Sequence, residues 1–543
     1  MVNNESQSQF IWTLRELQYP SKLNASDRIL NEQKAKSLGN KVAIFSEDDK
    51  VTYSELWRTV NTFGAALKAI GIKRGDRVLI RTLNIPEFIV SNLAILRVGA
   101  VSVPTMMLLR AREIAYIAND SEAKLMVVSS DLMEEVQKAR DEMKTMKSIV
   151  LIGESSGDYK AKDIFPYEEL LARVKEIIAA EETDKEDLAL LIYTSGTTGL
   201  PKGCIYSHAQ VLAAIDTYAK HVLEIRGNDV VGSHVSMAFN YGYHGIGTAP
   251  LHFEASASLI ELGPKKFDVE KIFGTIQKHG ITILFSVPTA YRLMLRAGKE
   301  IEKYDLSSLR LCVSGGEPLT APVFEEWKRR FGVEIIEHLG TTEMNAICSS
   351  TQGKVKLGSC GLPVPGFELK LLTDDGRECS PGTPGNLAVR GPTGIRYWRK
   401  PEKQKEMVRS GWNFTGDVLY KDQEGYFWYV ARTDDIIKSS AYRIAPQEVE
   451  GVLMEHPGVL EAGVVGVPDQ LRGQRVKAFA ALKEGYQPSK VLEEELKKFA
   501  MEKIAPYKAP AEIEFLEALP KGPTQKIRRA ELRKLSNLRQ AHG

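Results

Sequence analysis

The stretch LALLIYTSGTTGLPKG, Leu188–Gly203, sets the frame for reading this chain. Leu188–Tyr193 is an apolar run of strand length, and it passes into a loop of Thr194, Ser195, Gly196, Thr197, Thr198, Gly199 and Pro201 that ends at Lys202. Hydroxyls, glycine N–H groups and one lysine supply what a polyphosphate requires: many donors, close backbone approach and a mobile cation. The spacing is not GxxxxGK followed by Ser or Thr, because the lysine follows Pro201 and Gly203 comes after it. Taken alone, a stretch rich in Ser, Thr and Gly is more often a plain surface turn. The rest of the chain has to decide.

On either side of this stretch, short apolar runs alternate with helical patterns. Arg77–Ile80, Lys124–Val128, Ser148–Ile152, Ile281–Phe285 and Arg310–Val313 read as strands; Tyr53–Ile70, Asp268–His279, Ala290–Ala297 and Ala321–Phe331 read as helices. That alternation predicts an α/β fold of mainly parallel sheets covered by helices on both faces. After about Leu357 the texture changes to short strands, Glu368–Leu372 and Gly385–Arg390, among Gly and Pro, which predicts a β subdomain. Beyond a polar joint at 432–435 come a helix (Pro446–Glu455), two strands (Gly458–Val467, Arg475–Leu482) and another helix (Ser489–Ile504). The expected plan is a body at 1–432 and a small mobile α+β cap at 433–543.

Four further segments accompany the loop: Ser314–Pro318 (SGGEP), Gly340–Glu343 (GTTE), Trp412–Asp417 (WNFTGD), and Arg432–Glu450 (RTDDIIKSSAYRIAPQEVE) with Pro520–Arg528 (PKGPTQKIR). With these five in order, the chain resembles the adenylate-forming superfamily of acyl- and aryl-CoA synthetases, adenylation domains and luciferases, over roughly Lys41 to Arg529. The resemblance implies an ATP-dependent acid–CoA ligase that works in two steps through an acyl-adenylate. ATP, Mg²⁺ and coenzyme A are the cofactors and co-substrates, and a small carboxylic acid is the partner molecule.

It also implies residue roles. Thr194–Thr198 and Lys202 would hold phosphates; Gly315, Gly316 and Glu317, with His338, Leu339, Gly340 and Thr341, would line the nucleotide site. Thr342 would contact phosphate and Glu343 would hold Mg²⁺. Asp417 suits two ribose hydroxyls, because a carboxylate accepts two hydrogen bonds, and Arg432 would contact ribose or phosphate. Lys526 would bridge the acid and the phosphate in the first step. The cap would then turn about Asp434 and bring Lys438, Arg443 and the CoA-facing Ser439, Ser440 and Ala441 to the site. By position, Tyr241, Gly242, Tyr243, His244 and Met344 are the acyl-pocket candidates, whereas His208 and His234 read as structural.

Three positions depart from the family pattern. Leu339 stands where the family often has an aromatic before the GTTE-type motif; benzoate- and aminobenzoate-CoA ligases also use an aliphatic there, which makes them the branch this chain resembles, with medium-chain acyl-CoA synthetases the other. Ala441 replaces a glycine past which the pantetheine arm would run, and Gln525 replaces a glycine before Lys526. The acid is therefore expected to be aryl, short- or medium-chain, or hydroxylated. A carrier-protein-loading adenylating enzyme and a catalytically inactive nucleotide sensor are the alternatives.

Composition excludes other classes. With 72 Lys+Arg against 70 Asp+Glu in 543 residues, no charge excess argues for nucleic acid or an anionic membrane. Five cysteines without CxxC spacing argue against a disulfide scaffold or a structural zinc site. Ile89–Leu109, the most apolar long stretch, is broken by Asn92, Arg97 and Pro104 and reads as a buried helix followed by a strand. The opening MVNNESQSQF has no basic-then-apolar leader. A cytoplasmic enzyme without a membrane span is expected, with a homodimer left open.

Overall fold

The computed structural model describes residues 6–47, 49–154, 161–174, 176–194, 201–263, 267–433, 435–439, 442–469, 473–522 and 527–540. Ser195, Gly196, Thr197, Thr198, Asp434, Ser440, Ala441 and Lys526 lie outside them, as do the side chains of Lys438 and Arg443. The chain is mixed α/β and divides into two compact units, one of 1–369 with 389–413 and one of 370–388 with 414–543. The residues 414–432, expected in the body, thus cluster with the C-terminal residues.

Unit 1 holds two sheets. In the seven-stranded one, Ile164–Pro166, Ser148–Ile152, Ala123–Ser129, Arg77–Arg81, Val101–Pro104 and Leu188–Thr194 run parallel in that spatial order, and Lys202–Ser207 returns antiparallel at the edge. In the nine-stranded one, Val230–Ser233, Ile283–Ser286, Leu311–Gly315 and Ile335–Thr341 are parallel neighbours, and Asn345–Ser349 again returns antiparallel. A parallel pair needs a long crossover, whereas an antiparallel pair is joined by a short loop. The two loops expected to touch phosphate are these two reversals.

Local sequence explains the helices that cover the sheets. Tyr53–Ala69 starts on a capping box in which the Thr52 hydroxyl and the Glu55 side chain satisfy each other's backbone N–H groups, and it buries Leu56, Val60, Phe63 and Leu67 on one stripe. Pro86–Arg97 is buried from Phe88 to Arg97, and Val101–Pro104 follows it, as expected for the most apolar stretch. Its Arg97 is tolerated inside because Asn61 Oδ1 accepts from Nε at 2.8 Å and Asp27 pairs with Nη1 at 3.4 Å. Val269–His279, Pro288–Arg296 and Ala321–Phe331 cover the nine-stranded sheet over a core centred on the fully buried Trp327, whose ring lies 4.8 Å from Tyr291 and 4.5 Å from Phe331.

In unit 2, residues 417–421 of the strand Trp412–Lys421 pair antiparallel with Phe427–Arg432. The last sheet orders Tyr442–Ile444, Ile437–Ser439, Gly473–Leu482 and Val459–Asp469, with Glu512–Phe515 parallel to Gly473–Leu482. Pro446–Glu455 and Lys490–Lys503 bury Val449, Leu453, Leu492 and Leu496 against it. No described helix is long and apolar enough to cross a membrane.

Candidate active site

In unit 1, Thr194 and Lys202 are ladder partners, so the loop between them leaves and re-enters the sheet at one point. Both flanks are tied to the helix Ala111–Ser121. The Tyr193 hydroxyl donates to Asp120 Oδ2 at 2.7 Å, and the Tyr116 hydroxyl donates to the Pro201 carbonyl at 3.1 Å. Trp398 Nε1 donates to the Asp120 carbonyl at 2.9 Å, and Lys400 pairs with its carboxylate at 3.2 Å.

The segment around Tyr397 runs beside the second flank, bridging Cys204. Lys202 Nζ stands 4.9 Å above the Tyr397 ring, and the same ring donates its hydroxyl to Glu343 Oε1 at 2.7 Å. Tyr397 therefore joins the expected phosphate lysine to the expected Mg²⁺ ligand. Burial, with Glu343 nearby, pushes the Cys204 thiol up, so it stays neutral and takes no part as a nucleophile. Glu343 fits Mg²⁺, which takes one or two carboxylates and fills its shell with phosphate oxygens and water. Tyr397→Phe removes a hydrogen bond to a charged group, worth about 1.5–3 kcal/mol. The Mg²⁺ concentration for half-maximal pyrophosphate release should rise about tenfold; an unchanged titration would refute the link.

The nucleotide wall is set by close packing. Gly315 and His338 are partners on neighbouring strands, and a Cβ on Gly315 would lie 2.3 Å from His338 Cε1. Gly316 has φ +91°, a conformation that L side chains rarely adopt. Glu317 is held by Thr289, whose N–H donates to Oε1 at 2.9 Å. The His338 ring lies between Tyr218 at 5.1 Å and Tyr241 at 4.9 Å, and burial lowers its pKa to about 4, so it packs as a neutral ring beside a half-buried Leu339. At the GTTE turn, the Thr342 carbonyl accepts from the Tyr206 hydroxyl at 2.8 Å and the Thr341 carbonyl from Asn240 Nδ2 at 3.2 Å. Gly340 leaves no room for a side chain, since a Cβ would meet the Asn345 carbonyl oxygen at 2.5 Å.

Among the acyl-pocket candidates, two hydroxyls are committed within the protein. Tyr241 lies 3.1 Å from both the Ser286 and the Val313 carbonyls, and Tyr243 donates to Asn92 Oδ1 at 3.0 Å. Gly242 packs against the Ser236 carbonyl, and Met344 is buried with its carbonyl bonded to Thr393. His208 accepts from the Ala25 N–H, and His234 bonds Ser286 Oγ at 2.8 Å; both sit in packing positions.

In unit 2, Asp417 and Arg432 face each other across their strand pair, with Nη1 donating to Asp417 Oδ1 at 2.9 Å and to the Thr415 carbonyl at 2.8 Å. Gly416 combines φ +77° with a guanidinium nitrogen 2.8 Å from where a Cβ would be. Lys438 and Arg443 are backbone partners on adjacent strands, and Ser439 is buried. Sequence reasoning missed Tyr397 and Asp120. Tyr397 stands in Arg396–Trp398 with no spacing signal of its own, and Asp120 reads as an ordinary helix-end carboxylate.

The AMP-binding enzyme family model matches residues 31–398, and the AMP-binding enzyme C-terminal domain model matches residues 448–526. The chain belongs to the AMP-binding enzyme family. Among its relatives is the benzoate–CoA ligase of Thauera aromatica, 34% identical over 95% of this chain and 97% of that one. The acetyl-coenzyme A synthetase of Bacillus subtilis is likewise 34% identical, over 94% and 90%. Of solved structures, the anthranilate CoA ligase AuaEII in complex with anthranoyl-AMP superposes with a TM-score of 0.89 at 33% identity, covering 97% of this chain and 100% of that one. A benzoate CoA ligase from Burkholderia xenovorans LB400 gives a TM-score of 0.82 at 31% identity, covering 94% and 99%.

Proposed function

We propose that this chain is an AMP-forming acid–thiol ligase that joins an aryl carboxylic acid to coenzyme A at the expense of ATP. The observation that carries the reading is the meeting of the loop flank and the GTTE turn on Tyr397, which sets Lys202 and Glu343 about one ring. A carboxylate is a poor electrophile. Its oxygen attacks the α-phosphorus of ATP, the bond to the bridging oxygen of the β-phosphate breaks, and pyrophosphate leaves. Charge builds on the phosphate oxygens, so catalysis is mostly positioning and electrostatic stabilisation. Lys202 and the loop donors are suited to the departing pyrophosphate, and Lys526 to the junction of acid and α-phosphate. Mg²⁺ on Glu343 would supply further positive charge there.

In the second step the CoA thiol loses its proton, sulfur attacks the acyl carbon and AMP leaves. Asp417 and Arg432 would hold the ribose in both steps. On this reading 433–543 turn about Asp434 between steps, exchanging Lys526 for the segment from Lys438 to Arg443. An aryl acid is favoured by Leu339 and by the aromatic-acid ligases among the relatives. A cytoplasmic setting agrees with the absence of disulfides among the five cysteines. The test is pyrophosphate release across a panel of aryl and alkyl acids, with and without CoA. Aryl acids should release pyrophosphate and yield AMP and aryl-CoA. Pyrophosphate release without thioester at saturating CoA would overturn the ligase reading.

A further inference from the structure

Three buried polar atoms beside the GTTE turn have no hydrogen-bond partner among the described residues: His244 Nε2, Asn240 Oδ1 and Thr341 Oγ1. They belong to one connected group. His244 Nδ1 lies 3.2 Å from the Asn240 carbonyl, and Asn240 Nδ2 donates to the Thr341 carbonyl at 3.2 Å. The residues are fixed: His244 is 3% exposed and Asn240 7%, and His244 sits in the single wide turn of π-helix Tyr243–Thr248, a form often found at functional sites.

The chemistry of the unpartnered atoms follows from the bonds already made. A backbone carbonyl can only accept, so His244 Nδ1 carries the proton, and burial, which lowers the pKa to about 4, keeps the ring neutral. Nε2 is then a lone pair seeking a donor. Asn240 gives one N–H of its amide to the Thr341 carbonyl, and its Oδ1 is likewise an acceptor. Leaving such groups unmet costs about 1–3 kcal/mol each. On the ligase reading the acid's carboxylate meets phosphate near Thr342, one residue from Thr341, which would bring the rest of the acid toward these acceptors.

We infer that His244 Nε2 and Asn240 Oδ1 form a donor-seeking subsite that selects carboxylic acids bearing an amino or hydroxyl substituent. The inference rests on the ligase reading and narrows its substrate class. A site built to hydrogen-bond a substrate N–H or O–H rejects the analogue lacking it far more strongly than an apolar pocket rejects a missing methylene.

The test compares kcat/KM for the amino- and hydroxybenzoates at each ring position with that for the size-matched methylbenzoates, read as aryl-CoA. At least one donor-bearing acid should exceed its methyl counterpart about 10²-fold or more. His244→Phe should reduce that ratio to within about tenfold, and Asn240→Leu should do the same. A second measurement needs no variant: non-hydrolysable aryl-sulfamoyl adenosines with and without the donor are compared by thermal shift on the full chain, and the donor-bearing one should stabilise more. Equal ratios in the native enzyme, a ratio that survives both substitutions, or a resident water that keeps these atoms paired when the ligand is bound would each overturn the subsite. Ligation of all acids without preference sinks the subsite alone, whereas ligation of none sinks the ligase reading as well.

Discussion

Lys526→Ala should slow acyl-adenylate formation about 10²–10³-fold, the usual loss on deleting one charge-stabilising donor from a closed site. Transfer of a supplied acyl-adenylate to CoA should be spared. The lysine belongs to a segment with defined ends: Lys521 and Ile527 bridge antiparallel, and the Arg528 N–H donates to the Pro520 carbonyl at 2.8 Å. The loop thus starts and finishes on one pair, the same construction that carries the phosphate loop between Thr194 and Lys202. Adenylation is read by pyrophosphate exchange and thioester formation by acyl-CoA from synthetic aryl-adenylate. Equal loss of both would show that Lys526 serves the fold or both steps, not the first step alone.

The strand and helix order was legible because a hydrophobic period survives burial. Ser148–Ile152, Ala321–Phe331 and Pro446–Glu455 have the bounds the pattern predicts. Where bounds shifted, a local hydrogen bond decided. Ile281 was expected to open a strand, but its N–H closes the preceding helix on the Ile276 carbonyl around Gly280 at φ +62°, and the strand starts at Ile283. The helix expected from Ala290 starts at Pro288, whose fixed φ suits the first turn. Tyr397 was not legible, since its value lies in partners far along the chain, Lys202 and Glu343, that only the sheet topology brings together. The committed hydroxyls of Tyr241 and Tyr243 were hidden for the same reason: Asn92, Ser286 and Val313 are remote in sequence.

The largest stability effect is expected at Glu450. Its carboxylate is buried and takes Arg529 through both oxygens, Nη2 to Oε2 at 2.7 Å and Nη2 and Nε to Oε1 at 2.9 and 3.1 Å. The Arg529 side chain is only 14% exposed, and Asp435 Oδ2 lies 3.3 Å from its Nη1. Glu450→Ala strands that guanidinium with one remaining carboxylate, and breaking a buried pair this way costs about 3–5 kcal/mol. The urea midpoint of unit 2 should fall accordingly. Removing both charges together, Glu450→Leu with Arg529→Met, should restore most of the loss, because an apolar pair of similar volume carries no desolvation penalty. Catalysis separates the two variants further. Arg529 and Arg533, the latter 2.6 Å from Asp435 Oδ1, fasten the residue beside the expected pivot to the helix that follows Lys526. The double variant, though stable, frees that joint from one of its two arginines, so its two half-reactions should change unequally while its urea midpoint stays near the native one. A double variant with native stability and native rates in both half-reactions would confine Arg529 to packing.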